Sequence, residues 1–150
     1  MKNLSIIFIL LSFCVLFFSG CKKEEDPTPS VREQIIGKWN YYSRKTQRYA
    51  GNGQLEYEDS SLVTNNTSVE YREDGTFSII RPSTPEIDEF KADGTWELIE
   101  NNSKLRMIYT INNSEIINTI NELTEEKLFL SSEIKVAEGG IVKGELILVR

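Results

Sequence analysis

Histidine is absent from this 150-residue chain, and basic residues are outnumbered by acidic ones. Without an imidazole the chain lacks the usual general base, a common zinc ligand and any Ser-His or Cys-His nucleophile pair. Lysine and arginine number 17 against 23 aspartates and glutamates, which gives a net charge of −6. Because phosphate binding needs clustered lysine and arginine, we expect no nucleic-acid partner.

Cysteine is almost as rare, since the chain has only Cys14 and Cys21. Cys14 lies within residues 4–18, an apolar run that follows the positive charge of Lys2. As a helix, this run would span about 22 Å, which is too short for a bilayer core of roughly 30 Å. The pattern therefore predicts a secretory signal peptide over residues 1–20.

The signal ends in Phe18-Ser19-Gly20-Cys21, which resembles a bacterial lipobox with Phe18 in place of the usual leucine. The resemblance implies cleavage after Gly20, diacylation of Cys21 and attachment to a membrane through that residue. An ordinary signal peptide that leaves a free cysteine is the alternative. After lipidation the mature chain would have no disulfide, so its stability would come from its core.

Residues 21–30 are polar and contain proline, which predicts an extended tether. Residues 22–26 read Lys-Lys-Glu-Glu-Asp, and this run resembles the surface-export signal of Bacteroidetes-type lipoproteins. The resemblance implies an outer-membrane lipoprotein exposed on the cell surface. A simple charged spacer on a protein that faces the periplasm is the alternative.

Residues 31–150 have the pattern of an all-β domain with one short helical turn. Ser30 and Glu33 have the spacing of a capping box, which predicts a turn of helix over residues 31–36. After it, β-branched and aromatic segments alternate with turn residues, and no helix separates them. About eight antiparallel strands are therefore expected, closed into an up-and-down barrel that leaves no exposed edges. The predicted strands are 38–49, 68–72, 76–80, 90–92, 95–100, 104–111, 115–123, 127–136 and 141–150, with 55–63 ambiguous between strand and loop.

The residue pattern also predicts one further turn and the set of residues that share a face of one strand. Asp93-Gly94 is interpreted as a turn that divides residues 90–100 into two strands. Alternation places Leu105, Met107, Tyr109 and Ile111 on one face of their strand.

The order of several short motifs resembles the lipocalins. Gly37-Lys38-Trp39 opens the first long strand after a helical turn, as a G-x-W motif does in that family. Residues 71–77, 92–96 and 122–128 resemble the hairpins of small lipocalin-like Bacteroidetes lipoproteins. The resemblance covers residues 31–150 and implies an eight-stranded barrel, although the insertion around 50–66 departs from the shortest family pattern.

If such a barrel closes, Trp39 and Arg150 are expected to lie next to each other. The first and last strands would pair antiparallel, so the start of one lies beside the end of the other. The Arg150 guanidinium would then lie over the Trp39 indole, unless Trp39 is an ordinary core residue and Arg150 a frayed end.

Aromatic residues are the best candidates for a binding site. We predict a non-enzymatic protein that binds a small apolar or amphipathic ligand in the barrel or at its mouth. A barrel filled by side chains, used as an interaction or structural accessory at the outer membrane, is the alternative. Acidic clusters at 56–59 and 86–89 are interpreted as solvated surface, so no catalytic residue, metal site or cofactor is expected. The candidate ligand-binding residues are Trp39, Tyr41, Tyr71, Phe77, Trp96, Met107 and Tyr109.

Overall fold

A computed structural model describes residues 29–63, 65–136 and 139–150. The predicted signal peptide, the predicted lipidation site Cys21 and residues 22–28 of the predicted tether lie outside this part of the chain. The described residues form one short helix and nine strands. Their bounds are α1 Val31–Ile35, β1 Gly37–Tyr49, β2 Leu55–Leu62, β3 Ser68–Tyr71, β4 Thr76–Arg81, β5 Phe90–Ile99, β6 Lys104–Tyr109, β7 Glu115–Leu123, β8 Lys127–Lys135 and β9 Ile141–Val149.

The helix α1 begins with the predicted capping box. The Ser30 hydroxyl accepts a hydrogen bond from the Glu33 backbone N–H at 3.3 Å, and the Glu33 carboxylate accepts one from the Ser30 N–H at 2.7 Å. Two N–H groups that the first helical turn leaves without partners are thereby satisfied. These bonds also hold the pKa of the Glu33 carboxyl below its ordinary value. The helix is brief, and it buries Ile35 against the barrel.

Every strand pairs antiparallel with its neighbours, and the sheet closes because β1 pairs with β9. Asn40 lies opposite Val149 and Tyr49 lies opposite Ile141, so the first and last strands run side by side along most of their length. Strands β1 and β3 to β9 make an eight-stranded barrel, which confirms the predicted architecture. Closure leaves no long open edge in these eight strands.

Strand β2 is a ninth strand outside the closed ring, and it resolves the ambiguity over residues 55–63. It pairs with Ser43–Tyr49 of β1, whereas β3 pairs with Gly37–Asn40 at the same edge. The connection between β2 and β3 is held by backbone bonds from the Val63 N–H to the Tyr42 carbonyl and from the Tyr41 N–H to the Thr67 carbonyl. In the described residues β2 does not pair with β4, so a notch separates these two strands.

The prediction of a turn at Asp93-Gly94 was wrong, because β5 is continuous through both residues. Asp93 lies opposite Ser78 and Gly94 lies opposite Phe77 in the ladder with β4. The Ser78 hydroxyl also donates a hydrogen bond to the Asp93 carboxylate, which fixes the aspartate side chain on the strand. Glycine is needed at position 94 for close packing and not for a turn.

The position predicted for Ile111, on one strand face with Met107 and Tyr109, was also wrong. Strand β6 ends at Tyr109, and Ile111 in the following turn is 83% exposed. The Thr110 N–H donates to the Asp93 carbonyl, which ends the ladder with β5 just beyond Tyr109. Leu105 and Met107 are buried as predicted.

The buried core lies at the end of the barrel that carries α1. Most of its residues alternate along their strands with exposed polar residues, which is the pattern expected of a sheet closed around a core. The largest fully buried side chains are Trp39, Tyr71, Phe77, Ile35, Leu105, Leu128, Leu130, Leu148 and Val69.

Candidate functional site

One end of the barrel, which we call the closed end, is sealed around Trp39. This indole is 0% exposed, and its Nε1–H donates to the Ile35 carbonyl at 2.8 Å. The Arg150 guanidinium carbon lies 4.2 Å from the ring centroid, which confirms the predicted cation–π pair. Arg150 Nη2 also donates to the carbonyls of Gln34 and Ile36, at 2.7 and 2.9 Å. Helix α1 and Arg150 therefore cover this end together.

A second arginine–tryptophan pair stands at the closed end. The Arg32 guanidinium carbon lies 4.6 Å from the Trp96 ring centroid, and the Trp96 Nε1–H donates to the Arg72 carbonyl at 3.1 Å. The Trp96 ring meets Tyr71 edge-on at 5.5 Å between centroids. These contacts account for the burial of Trp96 by packing of the closed end.

The interior beyond the core contains a cavity of about 190 Å³, which we call the barrel cavity. Four of the candidate residues line it, namely Tyr41, Tyr71, Met107 and Tyr109. The Tyr71 hydroxyl donates to the Met107 sulfur at 3.6 Å, and the Asn118 amide lies 3.8 Å from the same sulfur. The remaining lining residues are Arg44, Lys45, Thr46, Ile116, Asn118, Leu130, Ser132, Gly144, Glu145 and Leu146.

A larger cavity of about 370 Å³ lies in the notch between β2 and β4, and we call it the notch cavity. Tyr41, Tyr109 and Arg44 line both cavities, so the two adjoin. Strands supply most of its lining, and the β2–β3 connection adds Val63, Asn65 and Thr67. The other lining residues are Ser61, Leu62, Val63, Asn65, Thr67, Ile79, Arg81 and Phe90.

The structure thus brings four of the seven candidate residues together and places the other three elsewhere. Trp39, Phe77 and Trp96 line neither of these two cavities. Phe77 is fully buried and meets the Tyr109 ring edge-on at 5.3 Å between centroids, so it supports one wall from behind. Ligand binding by any of the seven stays a prediction.

The three tyrosine hydroxyls of the barrel cavity are neutral. Burial raises the pKa of Tyr41, Tyr71 and Tyr109 above the ordinary value of a phenol, because removal from water disfavours the phenolate. At neutral pH each hydroxyl therefore remains protonated and can donate a hydrogen bond.

Arg44 is a site residue that the sequence did not reveal. Strict alternation from Trp39 and Tyr41 would direct residue 43 toward the cavity. The register with β9 shifts after Tyr41, because Tyr41 lies opposite Leu148 and Ser43 opposite Ile147. This bulge at Tyr42 reverses the faces, so Arg44 reaches the cavities.

Arg81 was also missed. It ends β4 and lines the notch cavity, and its neighbours in the chain give no signal of this position.

No group of His, Cys, Asp and Glu among the described residues is arranged to hold a metal ion. In the same part of the chain, no helix has the length and apolarity needed to cross a membrane.

Comparison with known proteins places the fold. No family model matches the chain, and no curated protein matches it significantly. Among solved structures, lobster apocrustacyanin A1 is similar with a TM-score of 0.55 and 19% identity over 85% of this chain and 64% of that one. H1 crustacyanin from the lobster Homarus americanus gives a TM-score of 0.53 and 19% identity, with the same coverage.

Apocrustacyanin C2 gives a TM-score of 0.54 and 20% identity, again over 85% of this chain. The present chain spans about 64% of the length of each of these proteins. At such identities the similarity concerns the fold alone. Together with the closed eight-stranded antiparallel sheet, it shows that this chain forms a lipocalin-like barrel.

Proposed function

We propose that this protein binds a small apolar or amphipathic ligand at the open end of its barrel, opposite the closed end. The observation that carries the proposal is the notch cavity of about 370 Å³. Sites for small molecules occupy about 300–1,000 Å³ and combine apolar walls with a few polar groups. The adjoining barrel cavity adds about 190 Å³.

The composition of the cavity walls supports a ligand with a large apolar part. Ile79 and Phe90 offer aliphatic and aromatic surface, while the neutral hydroxyls of Tyr41 and Tyr109 can orient a polar group. The alternative, a filled barrel with an interaction or structural role, does not account for these cavities. The buried core residues Tyr71, Met107 and Leu130 line the barrel cavity, so the core borders this space and does not fill it.

We propose further that the protein is not an enzyme. The residues that line the two cavities include a single carboxylate, Glu145, and no cysteine. A pair of carboxylates of the kind used by glycosidases is therefore missing from these walls. Binding without chemistry accounts for the cavities with the fewest assumptions.

We also propose that Cys21 is lipidated and anchors the protein in the outer membrane, exposed on the cell surface. The described chain enters the barrel at the closed end, where Gln34 of α1 contacts Arg150. An anchor upstream of α1 would therefore leave the open end accessible to a ligand from solution. Exposure to the periplasm on the inner face of the membrane is the alternative.

Filling the notch cavity is expected to block binding. Ser61 lines the cavity, whereas Ser60 beside it on β2 points to the opposite face. We expect Ser61→Trp to weaken binding of the neutral apolar dye N-phenyl-1-naphthylamine at least about tenfold, or about 1.4 kcal/mol. Fluorescence titration of the full chain in amphipol measures this, with amphipol alone as the blank.

Ser60→Trp is the matched control and should bind the dye as the unmodified chain does. Equal affinity of the two variants would contradict a site in the notch cavity. Failure of the unmodified chain to bind any apolar probe above the blank would contradict the proposed function.

Removal of the proposed lipid site is expected to release the protein from membranes. In the Cys21→Ala variant no acyl chain can be attached at this position, and acyl chains supply the hydrophobic free energy of anchoring. Fractionation of cells followed by a salt wash measures the distribution, with Ser19→Ala as a control that keeps the cysteine. Retention of Cys21→Ala in the washed membranes would contradict the anchor, and protease added to intact cells reports which face the barrel occupies.

A further inference from the structure

The charged residues that line the notch cavity are of one sign. Arg44 and Arg81 both reach it, and the described lining residues include no aspartate or glutamate. The chain as a whole has 23 acidic and 17 basic residues, so a cavity with two arginines and no acid departs from its general charge. The positive potential at this point therefore comes from the local arrangement.

Arg81 has hydrogen-bonding capacity that the described part of the chain does not use. Its Nε atom is buried and has no hydrogen-bond partner there. Its Nη2 reaches only the Asp88 carbonyl, at a long 3.4 Å, and the guanidinium carbon lies 5.5 Å from the Phe90 ring centroid. A buried donor without a partner is costly, and a guanidinium offers five donors in a fixed fork. An acceptor supplied by a ligand would remove this cost.

Arg44 is held loosely on the other side of the cavity. Its Nη2 lies 3.5 Å from the Asp59 carboxylate, and its side chain is 60% exposed. Ion pairs as exposed as this one contribute little to stability. The guanidinium can therefore turn toward a ligand at a small cost.

We propose that the notch cavity binds the anionic head group of an amphipathic acid, with Arg81 as the principal contact and Arg44 as the second. This inference rests on the proposed function and specifies the class of ligand. The apolar tail would lie along Ile79 and Phe90, which line the same cavity.

The chemistry of the head group follows from the guanidinium. The paired N–H groups of an arginine match two oxygens of a carboxylate or a phosphate, and such charge-assisted bonds are stronger than neutral ones. The Tyr41 and Tyr109 hydroxyls are neutral, so they would donate to the anion without repelling it. A low dielectric at the buried Nε would strengthen the attraction further.

The test compares an acid with the neutral alcohol of the same length. The full chain in amphipol is titrated by calorimetry with octanoate, octyl phosphate and octan-1-ol, with amphipol alone as the blank. We expect the unmodified chain to bind octanoate about 10-fold to 100-fold more tightly than octan-1-ol, in line with hydrogen bonds to charged groups. Octyl phosphate then shows whether the site prefers a carboxylate or a phosphate.

Arg81→Gln should remove most of the preference for the acid and change the affinity for octan-1-ol less than about threefold, since only the charged contact is lost. Arg44→Gln should have a smaller effect on the same ratio. Arg106→Gln is the matched control, because Arg106 is paired with Glu97 and Glu115 and lines neither cavity. Circular dichroism of each variant establishes that it is folded.

Different binding results would overturn the anionic head group and the proposed function. Equal binding of octanoate and octan-1-ol, or an acid preference that survives in Arg81→Gln, would overturn the anionic head group and leave a site for apolar ligands. Binding of none of the three probes would overturn both proposals. A preference lost in Arg81→Gln and kept in Arg106→Gln would support the assignment.

Discussion

Trp39→Ala is expected to lower the free energy of unfolding by about 3–5 kcal/mol, the usual cost of truncating a large buried aromatic residue. The indole is fully buried, donates a hydrogen bond to the Ile35 carbonyl and lies beneath the Arg150 guanidinium. Its removal would leave a cavity and an unpaired carbonyl, and would take away the surface on which Arg150 rests. A typical domain has only about 5–15 kcal/mol of stability, so the variant would be close to unfolding.

Urea unfolding of the full chain, followed by circular dichroism, measures this effect. Tyr42→Ala is a suitable control, because it also removes an aromatic ring from β1 but Tyr42 is 53% exposed. We expect the control to lose less than about 1 kcal/mol, as surface substitutions usually do. A similar loss in the two variants would mean that Trp39 does not seal the barrel as described.

Gly94→Ala is expected to cost at least about 3 kcal/mol, at the upper end of what overpacking of a core produces. A Cβ atom at this position would lie 2.1 Å from the Ile108 carbonyl oxygen and 2.6 Å from the Phe77 ring. The carbonyl belongs to the neighbouring strand and cannot move without breaking the ladder between β5 and β6. Phe77 is itself fully buried, so its ring has little room to turn away.

Gly144→Ala provides the comparison within the same sheet. A Cβ there would meet the Ser132 hydroxyl at 2.9 Å, and a hydroxyl can rotate away at little cost. Chemical denaturation of the two full-length variants should therefore show a much larger loss for Gly94→Ala. If the two alanine variants are equally stable, the close approach of β5 and β6 at Gly94 is not present in solution.

Most strands could be predicted from the sequence because their signals are local. Alternation of apolar and polar residues, with turn residues between the segments, predicts β6 through β9 and the hairpin at Gly75, which adopts a φ of +81°. The prediction of a turn at Asp93-Gly94 failed because this dipeptide occurs both in turns and where two strands approach closely. Only the neighbouring Phe77 and Ile108 decide between these uses.

The candidate site was predictable in part. The sequence shows which large apolar and aromatic residues its strands carry, and the candidates chosen on this basis include Tyr41, Tyr71, Met107 and Tyr109, which line the barrel cavity. It could not distinguish them from Trp39, Phe77 and Trp96, because a residue that lines a cavity and one that fills the core have the same alternation. Whether an inward residue fills the core or lines a cavity depends on its height along the barrel axis.

By itself, the sequence determined the all-β class, the antiparallel order and the pairing of the first strand with the last, since each follows from local periodicity and the need to cover edges. Only the tertiary structure decided where space remains and which charges reach it. The bulge at Tyr42 turns Arg44 toward the cavities, and the failure of β2 to pair with β4 opens the notch beside Arg81. Both depend on register between distant segments, and register is set by the packing of the whole barrel.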